Sequence, residues 1–105
     1  MGVMQETQFL YLTTEGRKTG KIRKIEIWFV EHGGNYYIVS ELREHSNWVR
    51  NIRRDTSISF RAGDKSFKGT ARIVSGEPDL AASVVDLMDK KYGWSDGLIV
   101  ELQPS

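Results

Sequence analysis

The sequence predicts a mainly β (α+β) fold, a small closed or partly closed antiparallel barrel of about six short strands with two helices. Three observations favour it: six stretches rich in β-branched and aromatic residues, turn residues between them, and two segments with apolar residues at helical spacing. A length of 105 residues fits one domain over residues 1–105. The composition, 39% hydrophobic and 28% charged, is typical of a globular protein and excludes a disordered chain.

The first half of the chain predicts three strands. Residues 9–14 are rich in β-formers and stop at the turn residues 15–16. Residues 22–30 alternate apolar and polar side chains, which predicts a half-buried strand. The glycine pair at 33–34 supplies the positive φ of a tight hairpin and leads into a third strand over residues 36–40.

A short helix and a second pair of strands follow. Ser46 is expected to cap a helix that ends near Asp55 and carries apolar residues on neighbouring turns. Residues 57–61 and 67–73 alternate as two antiparallel strands. Gly69, inside the second of them, indicates a bulge or a close backbone approach.

The last part of the chain predicts a longer helix and a final strand. Pro78 suits the first turn of a helix, and apolar residues recur at helical spacing as far as about Tyr92. Gly93 can end this helix. Residues 98–102 then form a last strand that closes or pairs across the sheet, with the helix packed on the barrel.

Basic residues are concentrated in the first hairpin although the whole chain is almost neutral. The net charge is +1, from 15 Lys+Arg and 14 Asp+Glu, so no global attraction to nucleic acid or to an anionic membrane is expected. Two glycines at 16 and 20 let the backbone approach an anion closely. The side chains that offer donors there are Arg17, Lys18, Thr19, Lys21 and Arg23. On charge alone, a solvated basic turn is favoured over an anion site.

Residues 16–21 are not a nucleotide phosphate loop. They have three residues between the glycines instead of four, and Ile22, which predicts a strand, follows the lysine. We therefore exclude a nucleotide triphosphatase.

No side chain stands out as the chemical actor of an enzyme. The chain has no cysteine, and its two histidines, His32 and His45, lack metal-ligand spacing. No serine has a GxSxG setting, and Asp86 and Asp89 fit a solvated helix face better than an acid–base pair. If the protein is an enzyme, its reactive group is expected to come from a cofactor. Seven aromatic residues can wall a planar ring or pack in a core or dimer interface: Tyr11, Trp28, Tyr36, Tyr37, Trp48, Tyr92 and Trp94.

The expected location is the cytoplasm. The absence of cysteine fits a reducing compartment. No apolar run approaches the length of about 20 residues that spans a bilayer, and residues 1–6 do not look like a signal peptide. We therefore expect no membrane insertion.

Three segments, in order along the chain, carry a family resemblance. Residues 10–23 (LYLTTEGRKTGKIR) resemble the opening of the deazaflavin-dependent nitroreductase family, L-T-T-x-G-R-K-[ST]-G-x-x-R. Residues 47–52 (NWVRNI) are similar to its P-x-W-Y-x-N-L segment, and residues 92–102 (YGWSDGLIVEL) to its C-terminal aromatic–aspartate segment and last strand. The chain departs from the family at residues 41–44, where the family has Gly-Gly after a serine, and at residues 46–47, where it has proline.

The resemblance implies a split β-barrel related to pyridoxamine-phosphate-oxidase-like flavin-binding proteins, and a homodimer with the cofactor near the interface. It implies an oxidoreductase that binds coenzyme F420 and passes hydride to a planar small-molecule acceptor such as a quinone or nitro compound. The basic hairpin would hold the acidic tail or phosphate of F420, Ser40 would face its ring, and three further residues would line the same groove. By this resemblance the cofactor-binding residues are Arg17, Lys18, Thr19, Lys21, Arg23, Ser40, Trp48, Asn51 and Arg54.

Three other functions stay open at this point. FMN is the alternative cofactor, since a minimal barrel suits it as well. A cofactor storage or sensor protein would bind tightly without turnover. A barrel that binds single-stranded nucleic acid through its basic clusters and aromatic residues is opposed by the near-zero net charge.

Overall fold

A computed structural model describes residues 9–15 and 22–105 of the protein. This part of the chain forms six antiparallel strands and two helices. The strands are β1 Phe9–Glu15, β2 Ile22–His32, β3 Asn35–Ser40, β4 Ser57–Ala62, β5 Lys65–Ile73 and β6 Leu98–Pro104. The helices are α1 Asn47–Arg54 and α2 Pro78–Tyr92, and a single 3-10 turn covers Arg43–His45. The strands pair in the order β1-β2-β3-β6-β5-β4, and β4 returns to pair with β1. The predicted antiparallel barrel is therefore confirmed, in its closed form.

The barrel has one core inside it and a second on its outer surface. The inner core combines alternate strand residues such as Leu10, Ile38 and Val100 with Trp48 and Ile52 of α1. Because α1 contributes to this inner cluster, it packs against the barrel interior at one end. On the outside, Val84 and Met88 of α2 pack on outward-facing residues of β2, β3 and β6. The helical spacing seen in the sequence therefore marks the face that α2 buries.

Most of the predicted turns and ends are confirmed. The two hairpin glycines, Gly33 and Gly34, have φ of 60° and 86°. Pro78 opens α2, and Gly93 ends it in the left-handed conformation. A Cβ on Gly69 would lie 2.1 Å from the backbone oxygen of Gln103, and the β4–β5 pairing runs through this position without interruption. The close-approach alternative for Gly69 is thus correct and the bulge is not.

The helix cap predicted at Ser46 is half right. Ser46 occupies the N-cap position of α1, but its side chain makes no capping hydrogen bond. Its hydroxyl lies 2.8 Å from the hydroxyl of Ser40 instead. A serine hydroxyl can form either bond, and the position of β3 beside the helix start decides in favour of the second.

Candidate functional site

All three tryptophans of the chain line one cavity, which we call the tryptophan pocket. Its volume is about 540 Å³, within the range of about 300–1,000 Å³ typical of ligand pockets. It is lined by residues of β1, β2 and β3, by the turn after β3 and the start of α1, and by Trp94. The described lining residues are Phe9, Glu26, Ile27, Trp28, Val39, Ser40, Glu41, Leu42, Ser46, Trp48 and Trp94.

The indole of Trp28 is held in place by α2. Its ring stacks on the ring of Tyr92 with centroids 4.4 Å apart and planes 4° from parallel, and Trp94 meets it edge-on at 6.2 Å. The Tyr92 hydroxyl accepts a hydrogen bond from the Phe29 N–H (3.0 Å) and donates one to the Phe29 carbonyl (2.9 Å). Trp28 pairs with Phe9 at the end of the described β1–β2 ladder, and Phe29 is the next residue of β2. The phenol therefore acts as a strand partner for β2 beside the pocket wall.

Two buried serine hydroxyls lie on the β3 side of the pocket. Ser40, only 1% exposed, donates a hydrogen bond to the Arg43 carbonyl at 2.9 Å. Since its single proton is used there, the 2.8 Å contact with Ser46 has Ser46 as the donor. Both protons thus stay within the protein, and the oxygens are left to accept. The remaining hydrogen-bonding capacity of these two hydroxyls is therefore that of acceptors.

Backbone packing fixes the position of these serines. Arg43 has φ of 53°, a conformation rare outside glycine, in the turn that follows β3. A Cβ on Gly97 would lie 2.3 Å from the Ser40 backbone oxygen, so only glycine fits there. The segment that carries Trp94 consequently packs directly on the end of β3.

The charged groups of the pocket lining are two carboxylates, among the residues that the structure describes. Glu26 accepts a hydrogen bond from the Tyr11 hydroxyl at 2.8 Å, and this bond raises the pKa of Tyr11. Glu41 is exposed at the end of β3. Arg43 is near the pocket in sequence, but it forms a 2.9 Å ion pair with Asp96. The described side of the pocket is therefore apolar with a negative rim.

The other end of the β1–β2 hairpin is basic. Arg23 pairs with Thr14 across the two strands, and the Thr14 hydroxyl accepts a hydrogen bond from the Asn51 amide at 3.1 Å. Arg54 is exposed in the last turn of α1. Six residue steps of about 3.4 Å each lead from the Phe9–Trp28 pair to the Glu15–Ile22 pair at the loop end, a span of about 20 Å. Arg17, Lys18, Thr19 and Lys21 lie outside the described residues.

The sequence-predicted site residues thus fall into two groups. Ser40 and Trp48 come together in the tryptophan pocket. Arg23, Asn51 and Arg54 are absent from its described lining. Arg23 pairs with Thr14 near the loop end, and Asn51 is buried and hydrogen-bonded to Thr14. α1 joins the two groups, since Trp48 is in its first turn and Arg54 is its last residue.

Several lining residues were not named as site residues from the sequence. Trp28 and Trp94 were predicted only as general aromatic candidates, Glu41 and Ser46 appeared only as departures from the family pattern, and Glu26 had no predicted role in the site. Trp28 had a usable signal, because an outward-facing tryptophan in an alternating strand is unusual unless another element covers it. The serine pair had no sequence signal, because it depends on where the chain returns after β3.

Residues 9–15 and 22–105 hold neither a metal cluster nor a membrane-spanning helix. No group of three or more His, Cys, Asp or Glu side chains there forms a candidate metal site. Neither helix in that part of the chain is long and apolar enough to cross a membrane.

Comparison with known proteins finds matches in sequence family and in fold. A family model described as F420H(2)-dependent quinone reductase matches residues 2–93. A solved F420-H2 dependent reductase is 25% identical, with 97% of this chain and 100% of that chain covered and a TM-score of 0.68. The heme storage protein HutZ from Vibrio cholerae is 18% identical, with 95% and 83% covered and a TM-score of 0.79. A candidate pyridoxamine 5'-phosphate oxidase from Listeria innocua is 14% identical, with 93% and 84% covered and a TM-score of 0.72. The last two likenesses concern the fold alone.

Proposed function

Because the chain belongs to the F420H(2)-dependent quinone reductase family, we propose that it holds the ring of F420 in the tryptophan pocket and the acidic tail on the basic hairpin. The observation that carries this assignment is the gathering of all three tryptophans around one cavity that also contains Ser40. The family makes the protein a deazaflavin-dependent oxidoreductase. The placement of the cofactor on these residues is our proposal.

The described residues fit a flat ring with a long anionic tail. Indole walls suit a planar heterocycle, and the oxygens of Ser40 and Ser46 can accept hydrogen bonds from its N–H groups. The negative rim formed by Glu26 and Glu41 does not suit phosphate or carboxylate groups, so the tail must leave the pocket. The loop end of β1 and β2, where Arg23 pairs with Thr14, is up to about 20 Å from the Phe9–Trp28 pair, a distance that suits a long tail.

The bound cofactor supplies the hydride, and the protein supplies binding, orientation and a dry environment. Trp28, Trp48 and Trp94 restrict the ring to a plane and exclude water from the face that they cover. Ser40 and Ser46 set the in-plane orientation, because their remaining hydrogen-bonding capacity is as acceptors. Orientation of this kind is a large source of rate in hydride transfer, and it requires no acid or base from the chain.

We also propose that the protein works as a homodimer in the cytoplasm. Phe9, Trp28 and Leu42 are 40%, 36% and 63% exposed, and all three line the tryptophan pocket. A second copy packed on these three exposed apolar side chains would place the pocket at a subunit boundary. Light scattering should give twice the chain mass, and Leu42→Glu should give the single-chain mass while the circular dichroism spectrum stays unchanged.

The proposed function is tested by turnover with F420H2 and a simple quinone. Mixing the protein with F420H2 and 1,4-naphthoquinone should regenerate the absorbance of oxidised F420. Arg17→Ala/Lys21→Ala should weaken F420 binding about a hundredfold or more, since each lost charge-assisted hydrogen bond costs about 1.5–3 kcal/mol. Lys65→Ala/Lys90→Ala removes the same charge from a different groove and serves as the matched control. No turnover, or equal losses in both double variants, would contradict the assignment.

A further inference from the structure

We infer that Glu26 and Glu41 select the electron acceptor by charge, so that neutral or cationic flat quinones are reduced in preference to anionic ones. The inference rests on the proposed function and concerns the charge of the quinones that the protein prefers. It follows from the composition of the tryptophan pocket. It makes Glu26 and Glu41 specificity-determining residues.

The charge of the described lining is negative without a compensating base. Both carboxylates border the pocket, while every other described lining residue is apolar, aromatic or a serine. The nearby Arg43 is neutralised by Asp96 at 2.9 Å. An acceptor that comes to the pocket therefore meets two carboxylates.

Two described cations flank Tyr11, the hydrogen-bond partner of Glu26. The Nζ of Lys24 and the guanidinium carbon of Arg61 are 5.4 and 5.5 Å from the centroid of the Tyr11 ring, which they flank. Tyr11 donates to Glu26 but is not a described lining residue of the pocket. Neither Lys24 nor Arg61 is a described lining residue of the pocket, so the charge of that lining stays negative.

The separation of basic and acidic residues orients the cofactor and determines which charge an electron acceptor meets. An acidic tail is attracted to the loop end, so the ring is left at the negative end, where the acceptor must approach it. Quinone reduction moves two electrons and two protons from F420H2 to the quinone and gives oxidised F420 and a hydroquinone. An anionic substituent on the quinone would add repulsion from each carboxylate. At a separation of about 6 Å in a water-like medium, one such pair changes an equilibrium about threefold.

The activity test compares one acceptor pair across a set of variants. The acceptors are 1,4-naphthoquinone and 1,4-naphthoquinone-2-sulfonate, and the quantity is the ratio of their kcat/KM values, sulfonated over neutral. Because the sulfonate also changes intrinsic reactivity, only the change in this ratio between proteins is interpreted. The ratio should rise about threefold in Glu26→Gln and in Glu41→Gln, and about tenfold in the double variant. Glu31→Gln, an exposed carboxylate of β2 outside the pocket lining, is the control.

A binding test gives a second readout that does not involve turnover. Since all three tryptophans line the pocket, quenching of their fluorescence reports acceptor binding there in the protein without F420. The sulfonated quinone should bind more tightly to the double variant than to the wild type, and the neutral quinone should bind both equally. High salt should reduce the difference, since the screening length falls from about 10 Å at 0.1 M to about 3 Å at 1 M.

Each outcome decides the inference. The inference is supported if the ratio of kcat/KM values rises in both the Glu26→Gln and the Glu41→Gln variant and stays unchanged in Glu31→Gln. No change in the double variant at low salt overturns it while leaving the proposed function intact, because the wild type would still reduce the neutral quinone. An equal rise in Glu31→Gln overturns it as a property of the pocket. Failure of the wild type to reduce the neutral quinone contradicts the proposed function, and the inference falls with it.

Discussion

Tyr92→Phe should lower the free energy of unfolding, because it removes hydrogen bonds to the backbone of β2. The aromatic stack should stay intact. Phenylalanine keeps the ring that lies 4.4 Å from Trp28 but removes the hydroxyl bonded to both backbone groups of Phe29. The Phe29 carbonyl keeps a hydrogen bond from the Lys91 ammonium at 3.1 Å, whereas the N–H loses its bond to the phenol oxygen. An unpaired buried donor costs about 1–3 kcal/mol. For a chain of this size each kcal/mol lowers Tm by about 4–8 °C.

Urea unfolding followed by far-UV circular dichroism measures this loss. Tyr11→Phe is the matched control, because it removes a hydroxyl whose partner, Glu26, is exposed and solvated. We expect no measurable loss in this control. Equal stability of the two variants would refute the strand-partner role of Tyr92. Tryptophan emission of Trp48→Phe/Trp94→Phe, in which Trp28 is the only tryptophan, provides a further check, because adding Tyr92→Leu, which also removes the stack, should shift the emission to longer wavelength than adding Tyr92→Phe.

Three further predictions concern other parts of the molecule. Burial alone would raise the pKa of Glu101, but hydrogen bonds from Arg72 and Tyr37 outweigh this and lower it. The ionised Glu101 therefore stabilises the fold above its unfolded pKa of about 4.3, and this stabilisation is lost as the pH falls through the lower pKa of the folded state. Urea midpoints measured between pH 6 and 3 should fall less steeply in Glu101→Gln than in the wild type. Gly69→Ala would place a Cβ 2.1 Å from the Gln103 oxygen and should cost about 1–3 kcal/mol in thermal unfolding, whereas an unchanged Tm would contradict the close approach. Affinity for F420 should fall with increasing salt, and a salt-independent Kd would argue against an ionic tail site.

Local signals in the sequence were enough to predict the fold. Alternation defines the inward face of β2, Gly33 and Gly34 define its hairpin, and Pro78 and Gly93 mark the ends of α2. These features depend on neighbouring residues, so they are visible in one sequence. Even the close approach at Gly69 was among the predicted alternatives, because glycine weakens the interior of a strand and often marks a bulge or a close backbone contact there.

The candidate site was predicted only in part, because it depends on contacts between distant residues. Trp28 and Tyr92 are 64 positions apart and meet only because α2 returns across the outer face of the barrel. Ser46 has the signal of a helix cap, and only the end of β3 diverts its hydroxyl to Ser40. The family resemblance implies that Ser40 and Asn51 line one groove; Ser40, at the end of β3, lines the tryptophan pocket, and Asn51, within α1, donates a hydrogen bond to Thr14.

The most direct test of the proposed cofactor site is a titration of tryptophan fluorescence with oxidised F420. If the ring lies in the tryptophan pocket, quenching is saturable in the wild type. In Arg17→Ala/Lys21→Ala it should reach the same final value at F420 concentrations about a hundredfold higher or more. Binding that is evident from the polarisation of F420's own fluorescence but leaves the tryptophan emission unchanged would place the ring elsewhere and contradict the central claim.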